Sequence, residues 1–435
     1  MIIVGLYSLF KIRSSNDFYI AGKKGNILYI SGSLLATILG SSAILGTVNL
    51  SVKMGWASSW MILSGALGLF ALFAIAKYVR RFGKYTLPEL LEDFYGKEAG
   101  TVASIIIPVA WIGIIAAQVI GASKIMTSFF DLSYQQGVLL CGSIFILYTV
   151  LGGQVSIIKT DMVQSLFILA GISLTFIFAV KSMQISIIKV SQLSFPFNVS
   201  FRPLDLVILL ITYSTTFFVG PDIYSRLFCA KDEKTARQSV LLTAIILIPF
   251  AFIISFIGNY AAKYFPGMDP ATGSALVHTI KAILPPWGSA LMIAALLSAV
   301  MSSADTTLLT ASSILSELTF KELKKSSSIN ITRGFIIILG ILSMIFALKV
   351  TSIINSLLVA LTIFSGAFVI PTAAGLLGYR TGRRQSITAI IAGGALALTG
   401  KILVMTGNKD TGNIIIICAF ALNAALLFFP VKRRK

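Results

Sequence analysis

Long apolar runs separated by short polar punctuation make up most of this chain. A helix that crosses a bilayer needs about 20 mostly apolar residues. Measured with that ruler, the pattern predicts twelve spans, at roughly 28–52, 57–78, 99–130, 134–151, 160–183, 204–228, 236–262, 286–318, 332–349, 353–378, 384–405 and 412–430. Between them, Leu87–Tyr95 and Ala275–Leu284 are expected to be short amphipathic pieces. The first apolar run, Ile2–Phe10, is too short to cross, runs into Lys11 and Arg13, and is followed by no small-residue cleavage site. It reads as the stub of a shortened helix rather than a signal peptide. The expected fold is an all-α integral membrane protein of about 12 transmembrane helices.

The spans divide the chain into a stub and cytoplasmic linker (1–26), a first group of five (27–183), a second group of five (184–379) and two additional C-terminal helices (380–435). Five is odd, so the second group starts from the opposite side of the membrane to the first, and any likeness between the groups is inverted. The lead helix of each carries an interruption at matching depth: Gly40-Ser41-Ser42 in span 1, and Val219-Gly220-Pro221 after Thr215-Thr216 in span 6. Paired interruptions of this kind point to a transporter's midplane site; singly, Gly and Pro are simply common in membrane helices.

Composition agrees with lipid as the main solvent. Hydrophobic residues make up 56% of the chain and charged ones 12%, with a mean hydropathy of +0.91; a soluble domain carries about 25% charged residues. A net charge of +19 would suit a nucleic-acid partner, but its placement does not. Most of the Lys and Arg fall in alternate connections and near the termini, among them Lys23, Lys24, Arg80, Arg81, Lys97, Lys159, Arg226, Lys231, Arg237, Lys321, Lys324, Arg380, Arg384 and Lys432 to Lys435. That bias is a topology signal. Both ends of the twelve-span unit are expected on the cytoplasmic side of a cell (inner or plasma) membrane, with the lipid bilayer and no nucleic acid as partner. The three cysteines, Cys141, Cys229 and Cys418, offer neither a disulfide framework nor metal spacing. No Walker loop, zinc motif, nucleophile elbow or haem-ligand pair is present, so no enzyme is expected.

Span 8 carries the most informative polar pattern. Ala299, Ser302, Ser303, Thr306, Thr310 and Ser313 share one face of an otherwise apolar helix, because steps of three and four return to the same side. Two readings stand: a small-residue seam for close helix packing, or an oxygen-lined site for sodium, with freed carbonyls at the span 1 break facing the hydroxyls. Other polar or aromatic groups at membrane depth are the candidate solute contacts: Ser42 and Thr47 in span 1, Gln118 in span 3, and Tyr213, Thr215, Thr216 and Phe217 in span 6. Gln118 serves equally well as a helix–helix hydrogen bond, and Thr215 and Thr216 as caps on broken backbone. Trp111 and Phe364 read as packing and His278 as a surface residue.

Four stretches resemble the sodium:solute symporter family. Asn16-Asp17-Phe18-Tyr19-Ile20-Ala21-Gly22-Lys23 looks like the lead into core helix 1. Tyr148-Thr149-Val150-Leu151-Gly152-Gly153 with Thr160-Asp161-Met162-Val163-Gln164 resembles the start of core helix 5. Gly220-Pro221-Asp222-Ile223-Tyr224-Ser225-Arg226 resembles the end of core helix 6, and Ala299 to Leu308 the helix 8 sodium motif. The resemblance implies a LeuT-type fold with a 5+5 inverted repeat and interrupted helices 1 and 6. It implies Na+ as coupling ion, held by the carbonyls of Ser41, Ile44 and Ala299 and the hydroxyls of Ser302 and Ser303. Asp161, Asp305 and Thr306 match positions that border a second sodium site or exit path. The alternatives are a helix cap for Asp161 and, for Asp305, a pair with a basic residue of the cytoplasmic rim. Where several members place polar substrate contacts on helix 1, this chain has Ala43, Leu45 and Val48. A small, largely apolar organic solute, such as a short carboxylate or an apolar amino acid, is therefore expected. The expected function is import of that solute by alternating access, driven by the sodium gradient. A transporter-like sensor or a sodium-independent exchanger or channel are the alternatives; with no further domain after Lys435, the sensor is the less expected.

Overall fold

The computed structural model describes residues 14–82, 86–182, 194–265, 275–320, 323 and 327–428; the run Ile2–Phe10 lies outside them. All named elements among the described residues are helical. α1 (Ser15–Ile20), α2 (Ile27–Ile38), α3 (Thr47–Met54) and α4 (Trp60–Phe82) come first. α5 (Leu87–Tyr95), α6 (Lys97–Phe129) and α7 (Tyr134–Ser182) follow. Next come α8 (Pro203–Leu209), α9 (Thr215–Val219), α10 (Pro221–Cys229) and α11 (Glu233–Tyr264). The last are α12 (Ala275–Ile283), α13 (Pro286–Phe320), α14 (Ser327–Lys349), α15 (Ile353–Leu376), α16 (Arg383–Met405) and α17 (Lys409–Phe428). Ten helical stretches among the described residues are long and apolar enough to cross a membrane.

Helix starts are written in the sequence. The Asn26 side chain accepts the Tyr29 N–H at 2.9 Å ahead of α2, and the Asp232 carboxylate accepts the Thr235 N–H at 2.7 Å ahead of α11. Thr86 and Glu89 form a reciprocal capping box on α5, with Pro88 in its first turn, which satisfies N–H groups that have no partner inside the helix. One sequence expectation needs correcting in detail: spans 4 and 5 are one continuous helical stretch, bent at Gly153 rather than separated at 152–159. Gly153 sits at φ +53°, and a Cβ there would lie 2.6 Å from the Phe18 ring, so only glycine fits.

Large apolar side chains face outward, Leu139, Leu147, Leu166, Ile338 and Ile341 among them. Such a surface would be sticky in water and is at ease against hydrocarbon. Inside, α13 packs against α7, α6 and α2, and α11 against α4 and α3. Helices α16 and α17 form a close pair attached chiefly to α15. The attachment has a polar fastening: the Asn423 side-chain N–H group donates to the Gly366 and Ala367 carbonyls of α15, at 2.7 and 3.0 Å.

Candidate functional site

Helix α2 ends at Leu39, whose ψ of 44° takes it out of the helix, and the chain resumes through a π-helical turn, Ser42–Gly46, into α3. The freed backbone at this break is satisfied from α6. The Ser41 N–H donates to Gln118 Oε1 at 3.1 Å, and the Ser41 hydroxyl lies 2.9 Å from the same oxygen and 3.1 Å from the Ala117 carbonyl. Gln118 is thus a helix–helix bond holding the break. From the other side comes α13: the Ser303 hydroxyl donates to the Thr37 carbonyl at 2.7 Å. A Cβ on Gly40 would lie 2.3 Å from Ser303 Oγ, so the close approach of α13 to the break requires glycine there. The second interruption falls at Gly220, in extended conformation (ψ 133°), after a π-helical turn at Leu210–Ser214. Pro221 restarts the helix at a position where its missing N–H costs nothing.

A buried polar network lies beside the break. Asp161 of α7 accepts from Ser302 at 2.5 Å, from Arg226 at 3.2 Å, and from Ser33. The Arg226 guanidinium also donates to Thr306, to Thr37 at 3.4 Å and to Ser225 at 3.3 Å. Arg226 is 0% and Asp161 1% exposed. Two expectations change here. Arg226, grouped above with the basic residues of a cytoplasmic connection, is an interior cation because its helix α10 is buried from Ile223 to Cys229. Asp161 is no cap: α7 runs on through it, and its carboxylate reaches three other elements. Asp305 accepts from Thr149 at 3.1 Å and has no ion pair with a basic residue among the described residues.

The carried-over sodium positions are only partly drawn together. Ser303 meets the break directly, while the Ser302 hydroxyl is turned to Asp161. The Ile44 carbonyl accepts the Thr47 N–H inside the π-helical turn, and Ala299 is fully buried in α13. Among the described residues no group of three or more His, Cys, Asp or Glu could hold a metal. The oxygens near the break suit a hard monovalent cation, not a thiolate- or imidazole-loving metal.

Next to the break lies a cavity of about 50 Å³, a third of the ~150 Å³ that admits benzene. Of the candidate solute contacts, Ser42, Gln118, Tyr213, Thr216 and Phe217 line it. Thr47 and Thr215 are not among its lining residues; Thr215 turns its hydroxyl back onto the Ile211 carbonyl at 2.6 Å. Thr37, Trp111, Asp222 and Thr307 also line it; reading the sequence singled out none of them as a solute contact, and it had assigned Trp111 to packing. That packing is real as well, edge-on to Phe364 at 4.9 Å. Ala43, Leu45 and Val48 are fully buried and do not line the cavity.

Comparison with known proteins accords with this geometry. The model of the "Sodium:solute symporter family" matches residues 18–393. The sodium/pantothenate symporter of Escherichia coli (strain K12) is 24% identical over 410 residues, covering 88% of this chain and 83% of that protein. Among solved structures, a Na+-coupled sialic acid symporter in a substrate-bound outward-open state superposes with a TM-score of 0.79 at 20% identity, covering 100% of this chain and 96% of the other. A nucleobase-cation-symport-1 family transporter in a closed conformation superposes with a TM-score of 0.61 at 13% identity, covering 94% and 93%. At these identities the structural likenesses speak for the fold alone. The relatives are transporters, not enzymes.

Proposed function

The chain belongs to the sodium:solute symporter family, and on that footing we propose that it is a multi-pass secondary transporter that couples entry of sodium to import of a small organic solute by alternating access. The observation that carries this reading is the joining of the hydroxyl face of α13 to the helix break, Ser303 to Thr37, over a cavity lined from α6, α9 and α10. Interrupted helices free backbone carbonyls for cations at the membrane midplane. In this reading Ser41, Ile44, Ala299, Ser302 and Ser303 hold sodium in the outward-facing state, and Asp161, Asp305 and Thr306 line its second site or exit. The cavity must widen for the solute, which is what alternating access supplies.

The twelve-crossing topology is part of the proposal. Two of the ten apolar stretches, Ser42–Phe82 and Tyr134–Ser182, have 41 and 49 residues, roughly 60 and 75 Å at 1.5 Å per residue, twice a hydrocarbon core of about 30 Å. Each contains a glycine outside helical conformation, Gly55 at φ +56° or Gly153 at φ +53°, where one crossing can turn into the next. With that count, inverted five-helix halves at 27–183 and 184–379 are part of the proposal, and the basic connections support placing both ends in the cytoplasm. Uptake into proteoliposomes tests the function. Accumulation only under an inward sodium gradient is expected; uptake indifferent to sodium means an exchanger or channel, and saturable binding without uptake means a sensor.

A further inference from the structure

The central cavity carries one carboxylate and no cationic side chain. Asp222, in the first turn of α10, lines it together with Trp111, Tyr213, Phe217, Gln118 and Thr216, and no Lys, Arg or His is among its lining residues. A carboxylate at membrane depth is costly unless it has a partner. The guanidinium on the same helix, that of Arg226, is committed to Asp161, Thr306, Thr37 and Ser225. We propose, resting on the symporter reading above, that the cavity selects a solute bearing a positively charged nitrogen, with Asp222 as its counter-ion.

The rest of the lining fits that class. Three aromatic rings, Trp111, Tyr213 and Phe217, share the cavity with the carboxylate, Tyr213 and Phe217 meeting at 5.0 Å, and aromatic faces attract a cation that has shed its water. The same cavity also offers donors to a second group on the solute. The Trp111 indole N–H is buried without a hydrogen-bond partner, in a residue 1% exposed. Gln118 spends its oxygen on Ser41, which leaves its amide N–H groups to give. An ammonium group and a hydrogen-bond acceptor on one small molecule satisfy the carboxylate and the donors together, as in a zwitterionic amino acid or an amino alcohol. A bare carboxylate, by contrast, meets Asp222 with no cationic side chain in the lining to offset it. An acid in a first helical turn is favourable without any ligand, which explains why α10 tolerates Asp222 but not why an unpartnered donor shares its cavity.

Matched solutes test this on the full-length protein purified in detergent. Leucine, 3-methylbutylamine and 4-methylpentanoate differ by one charged group each, and choline has 3,3-dimethylbutan-1-ol as its neutral carbon analogue. Thermal stabilisation is measured in sodium and in potassium. Amine-bearing members are expected to stabilise the protein and their amine-free partners to fail. Asp222→Asn should weaken amine binding roughly tenfold or more, the loss of one charge-assisted bond, while sodium alone still stabilises the variant. Asp222→Glu, which keeps the charge, should retain the amine preference, so a misfolded Asn variant cannot decide the matter alone. Trp111→Phe should weaken leucine and choline and leave 3-methylbutylamine unchanged. Equal binding of amine-free partners, no response to any amine, or unaltered amine binding in Asp222→Asn overturns the proposal. Loss of the sodium response in that variant also overturns it, by making Asp222 a sodium ligand. If sodium fails to stabilise the wild type, the symporter reading falls, while the matched pairs still read out the amine preference in potassium.

Discussion

Replacing Arg226 with Gln strands a carboxylate. In the folded protein the Asp161–Arg226 pair is closed at 3.2 Å with both side chains essentially inaccessible, so water cannot take over from the guanidinium. Removing one member of a buried pair costs about 3–5 kcal/mol, most of it the uncompensated charge left behind. Asp161→Asn alone strands the guanidinium and should cost a similar amount. The double variant, Asp161→Asn with Arg226→Gln, strands neither, so it should melt well above the sum of the two single losses, as coupled neighbours do. Thermal melts of the four proteins in potassium measure this directly. Sodium adds a second reading. In Arg226→Gln, the Asp161 carboxylate and the Ser302 hydroxyl, 2.5 Å apart, are freed for a small cation, so sodium should raise the melting temperature of this variant more than that of the wild type. Strict additivity of the two substitutions, or a sodium increment no larger than the wild type's, refutes the idea that Arg226 is the resident counter-ion of Asp161.

Further outcomes follow from the same geometry. Ser302→Ala and Ser303→Ala should each raise the sodium concentration for half-maximal uptake at least tenfold, about 1.4 kcal/mol; unchanged sodium dependence removes that serine from the site. Gly40→Ala places a methyl group 2.3 Å from Ser303 Oγ and should destabilise by about 1–3 kcal/mol, and Ser303→Gly beside it should restore the melting temperature without restoring sodium dependence. Asp161→Asn and Asp305→Asn should lower the sodium-to-solute ratio or slow sodium release. Reversal potentials on the wild type decide between those two: a ratio of one sodium per solute leaves Asp161 and Asp305 on an exit path only.

Local patterns in the chain were legible where one residue type has one job. Gly-Pro at 220–221 marked the second interruption, and Leu87–Tyr95 was read with the bounds the structure gives, because its capping box and apolar face agree. The π-helical turns after Gly40 and before Thr215 were not legible: they arise from helices packing against each other, not from residues that prefer them. Arg226 was misplaced because a cation near the end of an apolar run usually faces water, and the charge count treats every such cation alike. The signal against it was the apolar run that follows, Leu227-Phe228-Cys229, which keeps the helix buried to its last residue. The apolar row Ala43, Leu45 and Val48 misdirected the reading of the solute, since those side chains pack away from the cavity while Asp222, read only as part of a motif, faces it.

The fastening of α17 to α15 has a consequence for what the bilayer can do to this protein. Asn423 grips two successive carbonyls of α15, and Gly393 of α16 lies against the Gly366 carbonyl so closely that a Cβ would come within 2.3 Å of it. The three helices are therefore one mechanical body. Its outer wall, with Ile391, Ile402 and Ile414 turned outward, is the part pressed by lipid, and its inner wall carries Leu357 and Leu361 into the central cavity. Thickness and lateral pressure of the membrane, acting on the outer pair, thus reach the cavity wall through one joint, made of the Asn423 bonds and the close glycine contact beside them.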